Sequence, residues 1–219
     1  ELASARLSPT IAGTSPIDMA DTDGSVVAIA HEVQDDEGRT SGIVLRASTD
    51  GGDTWDSSRV VAEPASAPSA AIANGVAFVS YVRSGAVYVA FRRSSEEDTW
   101  TEVAVPLGGD PAPRAAPAVA HRDAGHAGVA FVATTDTGTR ELRYWDGRSP
   151  TTSTVLALAP AEAETSAAVP LGLVFAGTQP TIAVGSAAAV GAEDASAVAN
   201  GSVLTVTSTD EGARFGPPQ

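Results

Sequence analysis

The chain has 219 residues, with 13 Lys+Arg against 27 Asp+Glu and a formal charge of −14. Every cation is Arg, which excludes a P-loop lysine, a Schiff-base amine and the basic tracts that hold nucleic acid or anionic lipid. No Cys is present, so thiol catalysis, Cys-bound zinc, iron–sulfur clusters and disulfides are excluded, and no apolar run is long enough for a membrane-spanning helix.

The chain opens Glu1-Leu2-Ala3, and its only Met is Met19, so a processed N-terminus and a secreted, periplasmic or cell-surface location are the expectation. Helical periodicity is nearly absent; short runs of Val, Ile, Ala and Phe recur between Gly, Asp, Asn and Pro clusters, which predicts an all-β fold. A tetrad returns along the chain as Val27-Ala28-Ile29-Ala30, Val76-Ala77-Phe78-Val79, Val129-Ala130-Phe131-Val132 and Ile182-Ala183-Val184-Gly185, with steps of 49, 53 and 53 residues at the shared Ala. Pro16, Pro68, Pro117 and Pro170 precede the tetrads with steps of 52, 49 and 53. Two markers thus define four repeats, at about 10–63, 64–112, 113–164 and 165–219, within one domain over 1–219.

Each repeat divides into short strands. The first follows the Pro (Ile17 to Ala20, Ser69 to Ala73, Ala118 to His121, Leu171 to Phe175), and the second carries the tetrad. The third runs over Ile43 to Ser48, Ala86 to Arg92, Glu141 to Tyr144 and Val203 to Ser208; the fourth over Arg59 to Ala62, Glu102 to Val105 and Thr154 to Leu158. Four antiparallel strands per 50 residues is the spacing of a β-propeller blade, whereas a sandwich or a meandering barrel does not require a repeated marker. The fourth repeat has no fourth strand before the end at Phe215-Gly216-Pro217-Pro218-Gln219. The segment Ala3 to Pro9 is the expected substitute, closing a four-bladed ring. The alternative is a piece of a six- or seven-bladed propeller.

After the third strand of the first repeat comes Ser48-Thr49-Asp50-Gly51-Gly52-Asp53-Thr54-Trp55, and the fourth has Ser208-Thr209-Asp210-Glu211-Gly212-Ala213-Arg214-Phe215. The second repeat retains Thr99-Trp100, and the third little beyond Tyr144-Trp145-Asp146-Gly147. The first of these matches S-x-D-x-G-x-T-W throughout and resembles the Asp-box of sialidase-type BNR propellers. An Asp side chain can accept N–H groups of its own turn, Gly supplies positive φ and the aromatic covers the hairpin. The resemblance implies that Ser48, Asp50, Gly52, Thr54, Trp55, Ser208, Asp210, Gly212 and Phe215 are structural.

The resemblance also implies a site to look for. An Arg-Ile-Pro tripeptide opens this repeat in the family and supplies one of three arginines that clamp a substrate carboxylate; here Thr14-Ser15-Pro16 stands in its place, so that arginine is missing. An acid/base Asp is implied before the third strand, where Asp35 and Asp36 stand in what also reads as a solvated loop tip. Of the three tyrosines, Tyr81, beside Arg83, is the candidate for the family's nucleophile; Tyr144 reads as core, and no downstream motif supports either.

His121-Arg122-Asp123 with His126 could ligate a divalent ion, though Asp-Ala-Gly turn chemistry favours a polar hairpin. Asp21-Thr22-Asp23-Gly24 and Asn200-Gly201-Ser202 read as turns, and Ser186 to Ala199 as a long loop. No metal or cofactor is expected. The expected function is a non-catalytic propeller that binds another protein or a neutral glycan through Glu32, Arg83, His121, Arg122, Asp123 and His126 on one face. The alternatives are a sialidase-type glycoside hydrolase and a structural subunit of a larger extracellular assembly.

Overall fold

The computed structural model describes residues 17–21, 27–34, 37, 39–56, 59–73, 76–93, 100–108, 110–111, 116–123, 125–158, 171–185 and 203–219. These hold strands and turns with no helix, in four antiparallel sheets. The first sheet contains β1 (Ile17–Asp21), β2 (Val27–Gln34), β3 (Thr40–Ser48) and β4 (Arg59–Ala62) in that order. The second contains β5 (Ser66–Ala73), β6 (Val76–Arg83), β7 (Ala86–Arg93) and β8 (Thr101–Ala104). In the third, β9 (Asp110–Pro111) joins β10 (Ala118–Asp123), β11 (His126–Thr134), β12 (Arg140–Trp145) and β13 (Ser153–Leu158). The fourth has β14 (Leu171–Ala176), β15 (Gln179–Gly185) and β16 (Val203–Thr207).

Strands of alternating pattern bury both faces when a sheet lies between two others, and the second and third sheets do so. From the second, Val79 and Tyr81 pack with Ile43 and Leu45 of the first sheet, while Val76 and Phe78 pack with Val129 and Phe131 of the third. From the third, Ala130, Val132 and Leu142 pack with Ile182, Val184 and Val206 of the fourth. The first strands lie side by side, β1 against β5, β5 against β10 and β10 against β14. That succession is the inner row of a propeller.

Three local departures from the sequence expectation have physical causes. β5 starts before Pro68, with a register break between Ser66 and Ser69 and Ala67 at φ 56°, because Pro68 has no N–H to give the ladder. β9 lies in the second repeat by sequence yet pairs with β11 of the third sheet, at Ala133↔Pro111 and Thr134↔Asp110. The position expected for an N-terminal fourth strand beside β16 is taken by the last residues: Gly216 N donates to Thr207 O at 3.0 Å, Gln219 N to Thr205 O at 3.0 Å, and Thr205 N to Gln219 O at 3.1 Å. Ala3 to Pro9, Ser186 to Ala199 and Asn200-Gly201-Ser202 lie outside the described residues, as do Thr22, Asp23 and Gly24.

Candidate functional site

The two Ser-x-Asp turns are wired alike. Ser48 Oγ accepts from Gly52 N at 2.8 Å and donates to Asp50 Oδ1 at 2.7 Å; Asp50 accepts from Thr54 N at 2.8 Å and from Thr54 Oγ1 at 2.5 Å. In the fourth sheet Ser208 Oγ accepts from Gly212 N at 2.8 Å and donates to Asp210 Oδ1 at 2.9 Å, and Asp210 accepts from Arg214 N at 2.7 Å. These bonds, led by the Thr54 hydroxyl, hold the Asp50 carboxyl down to about 2, and the Arg214 amide leads the lowering at Asp210. Gly52 and Gly212 take φ of 98° and 97°, and Trp55 lies against Gly52 while Phe215 meets the Tyr144 ring edge-on at 5.5 Å.

The candidate binding residues do not share a face. β5 and β10 run in the same direction: Val119 N donates to Ser69 Oγ at 3.2 Å, and farther along the His121 and Phe78 rings are 6.0 Å apart, Phe78 being paired with Ala71. The hairpin between Asp123 and His126 is therefore at the far end of β5, with the Ser-x-Asp turns, whereas Arg83 pairs with Ala86 at the near end. Glu32 belongs to the near end as well; its buried carboxylate accepts from Ala67 N at 2.6 Å, a structural bond. Asp35 and Asp36 lie outside the described residues.

At the near end, Tyr81 is fully buried and donates to Glu102, which also pairs with Arg83. The Arg83 guanidinium lies 4.3 Å from the centroid of Tyr88, and Tyr88 stacks on Tyr81 at 5.8 Å. Desolvation first, then the bond to Glu102, pushes the Tyr81 phenol well above its ordinary value. Burial disfavours the phenolate a nucleophile would need, so this cluster reads as a braced sheet corner.

At the far end, His126 Nδ1 is 2.7 Å from Asp123 Oδ1, and Arg148 pairs with the same carboxylate. His121 turns the other way, toward Phe78, and burial lowers its pKa. Among the described residues no group of three or more His, Cys, Asp or Glu is placed to hold a metal ion.

Arg122 enters a cleft of about 430 Å³ between the third and fourth sheets. Its floor and walls are Arg122, Tyr144 and Asp146, the residues Ser149, Thr151 and Ser153, and the turn from Asp210 to Ala213. The Arg122 side chain is 4% exposed; Nη2 donates to Glu211 Oε2 at 2.7 Å, and Nη1 makes no hydrogen bond, with Asp146 Oδ2 at 3.5 Å. Asp146 is fixed because its Oδ1 accepts from Arg148 N at 2.8 Å and Ser149 N at 2.7 Å. Tyr144 is buried, its pKa raised by desolvation, and its hydroxyl has no hydrogen-bond partner. The phenol fits only because Gly128 lacks a side chain: a Cβ there would lie 2.9 Å from the hydroxyl and 2.6 Å from Phe175 Cζ. Asp146, Glu211 and Glu102 escaped sequence reading, since each sits in an ordinary turn or edge strand; the one signal was Glu211 standing where the first motif has Gly51.

No family model matches this chain, and no curated protein sequence matches it. Solved structures do. The SapL1 lectin, in complex with alpha methyl fucoside, superposes with a TM-score of 0.57 at 14% identity, over 95% of this chain and 64% of that one. The Penicillium chrysogenum alpha-L-arabinanase complexed with arabinobiose gives 0.54 at 13% identity, over 93% and 65%. A protein of unknown function from Dyadobacter fermentans gives 0.54 at 12%, over 93% and 67%. These neighbours are β-propellers, and the chain spans about two thirds of their length. At such identities the likeness carries the fold alone.

Proposed function

We propose that this chain is a non-catalytic β-propeller module, of sialidase-like Asp-box ancestry, that binds a neutral saccharide in the cleft between its third and fourth sheets. The carrying observation is the buried Arg122 guanidinium held between Asp146 and Glu211 in a cleft that Ser149, Thr151 and Ser153 also line, a set of donors and acceptors that suits a sugar's hydroxyl groups. Propellers with a lectin's or an arabinanase's ligand among the structural neighbours make a saccharide the first class to test. The acidic charge of −14 favours a neutral partner over a polyanion. In this reading residues 1–219 form one domain of four blades, exported to the cell surface or beyond; intact mass of the native protein tests whether other blades accompany it.

The test is calorimetric titration with neutral monosaccharides and methyl glycosides, after a glycan array. Binding that falls at least about tenfold in Arg122→Gln supports the reading; array and titration both empty, or binding unmoved by Arg122→Gln, overturn it. A second reading, a glycoside hydrolase, rests on the Tyr81–Glu102 pair beside Arg83 as nucleophile and partner acid, against the burial of the phenol. Turnover of a fluorogenic sialoside that is lost in Tyr81→Phe would establish it.

A further inference from the structure

We infer that Glu211 occupies, on Arg122, the seat a ligand carboxylate would take, and thereby restricts the cleft to uncharged, hydroxyl-rich saccharides; this rests on the saccharide-binding reading above. Among the described residues lining the cleft Arg122 is the one cation, and both its terminal nitrogens already face carboxylates, Nη2 donating to Glu211 at 2.7 Å and Nη1 lying 3.5 Å from Asp146 Oδ2. Asp146 and Asp210 are fixed by backbone amides, so neither can withdraw from an incoming anion. Glu211 differs from both. Its side chain is 59% exposed, and it holds a left-handed backbone at φ 62°, where the corresponding residue of the first turn is Gly51 at φ 73°.

A glutamate where glycine serves the same turn points to a role for the side chain beyond the turn itself. With Asp146 and Glu211 on the guanidinium and Asp210 in the cleft wall, a ligand anion meets more negative than positive charge, and like charges brought together disfavour binding. Hydroxyl groups meet no such penalty: they donate to Glu211 or Asp146 and accept from Ser149, Thr151 and Ser153.

Matched glycosides differing only at C6 test this: methyl α-galactoside against methyl α-galacturonoside, and methyl α-glucoside against methyl α-glucuronoside, titrated calorimetrically into the full chain and into Glu211→Gly and Glu211→Gln. The wild type is expected to prefer the neutral member by at least about tenfold, Glu211→Gly to erase or invert that preference, and Glu211→Gln, which keeps the shape without the charge, to reduce it at least about threefold. A wild-type preference for the acidic member, or a ratio that stays within twofold in both variants, overturns the inference while leaving saccharide binding intact. A wild type that binds no saccharide removes the underlying reading and the inference together.

Discussion

Asp50 shows how much one exposed side chain can organise when its turn supplies donors. Its carboxyl is held to about 2, below the ordinary 3.8, so the folded turn prefers the ionised form. Because the folded value is depressed, the stability this group contributes is full above about pH 4 and is lost as pH falls toward about 2. Thermal unfolding of Asp50→Asn is expected to show a lower midpoint at neutral pH and a flatter decline between pH 4 and 2 than the wild type. At Gly212 geometry decides instead. Replacement by Ala meets a left-handed backbone at φ 97° and the Tyr144 ring, whereas Gly85, at φ 76°, has nothing within 4 Å of a built Cβ. Gly85→Ala is expected to cost about 1–2 kcal/mol for backbone alone, and Gly212→Ala a further 1–3 kcal/mol or so for overpacking, both read by chemical denaturation.

Among the elements, the end of the chain is the least expected. Gly216–Gln219 pairs with β16 although two of its four residues are prolines, because the ladder there needs N–H groups only from Gly216 and Gln219. Deletion of residues 216–219 is expected to speed exchange of the Thr205 amide, which donates to Gln219 O, while amides between β14 and β15 stay protected; hydrogen exchange resolves the two. The tetrads were legible because a strand buried on both faces reads as a continuous apolar run, as β11 does from Ala127 to Ala133. The β5 start was misread because Pro68 marks a bulge inside the strand, not its beginning.

Across the whole molecule, stability is carried by the contacts between successive sheets. Leu142 is fully buried between the third and fourth sheets, whereas Val174, on β14, is 63% exposed. Leu142→Ala is expected to cost about 2–5 kcal/mol, and Val174→Ala to stay within about 0.5 kcal/mol, by urea denaturation. Among the described residues the fourth sheet makes no extended contact with the first. The same stacking that gives stability makes the cleft, since Arg122 and Asp146 come from one sheet and Glu211 from the next.

The amino-acid order alone determined the all-β class, the period of about 50 residues and the twin turns, because strand patterning and turn chemistry are local and leave a periodic trace. It also excluded thiol and lysine chemistry by composition. Only the tertiary structure decided that Arg83 and Arg122 stand at opposite ends of the sheets, that Tyr81 is buried against Glu102, and that Glu211 closes on Arg122. Those facts depend on strand direction and on side chains 89 residues apart in sequence, such as Arg122 and Glu211, meeting across a sheet interface, which no local pattern encodes.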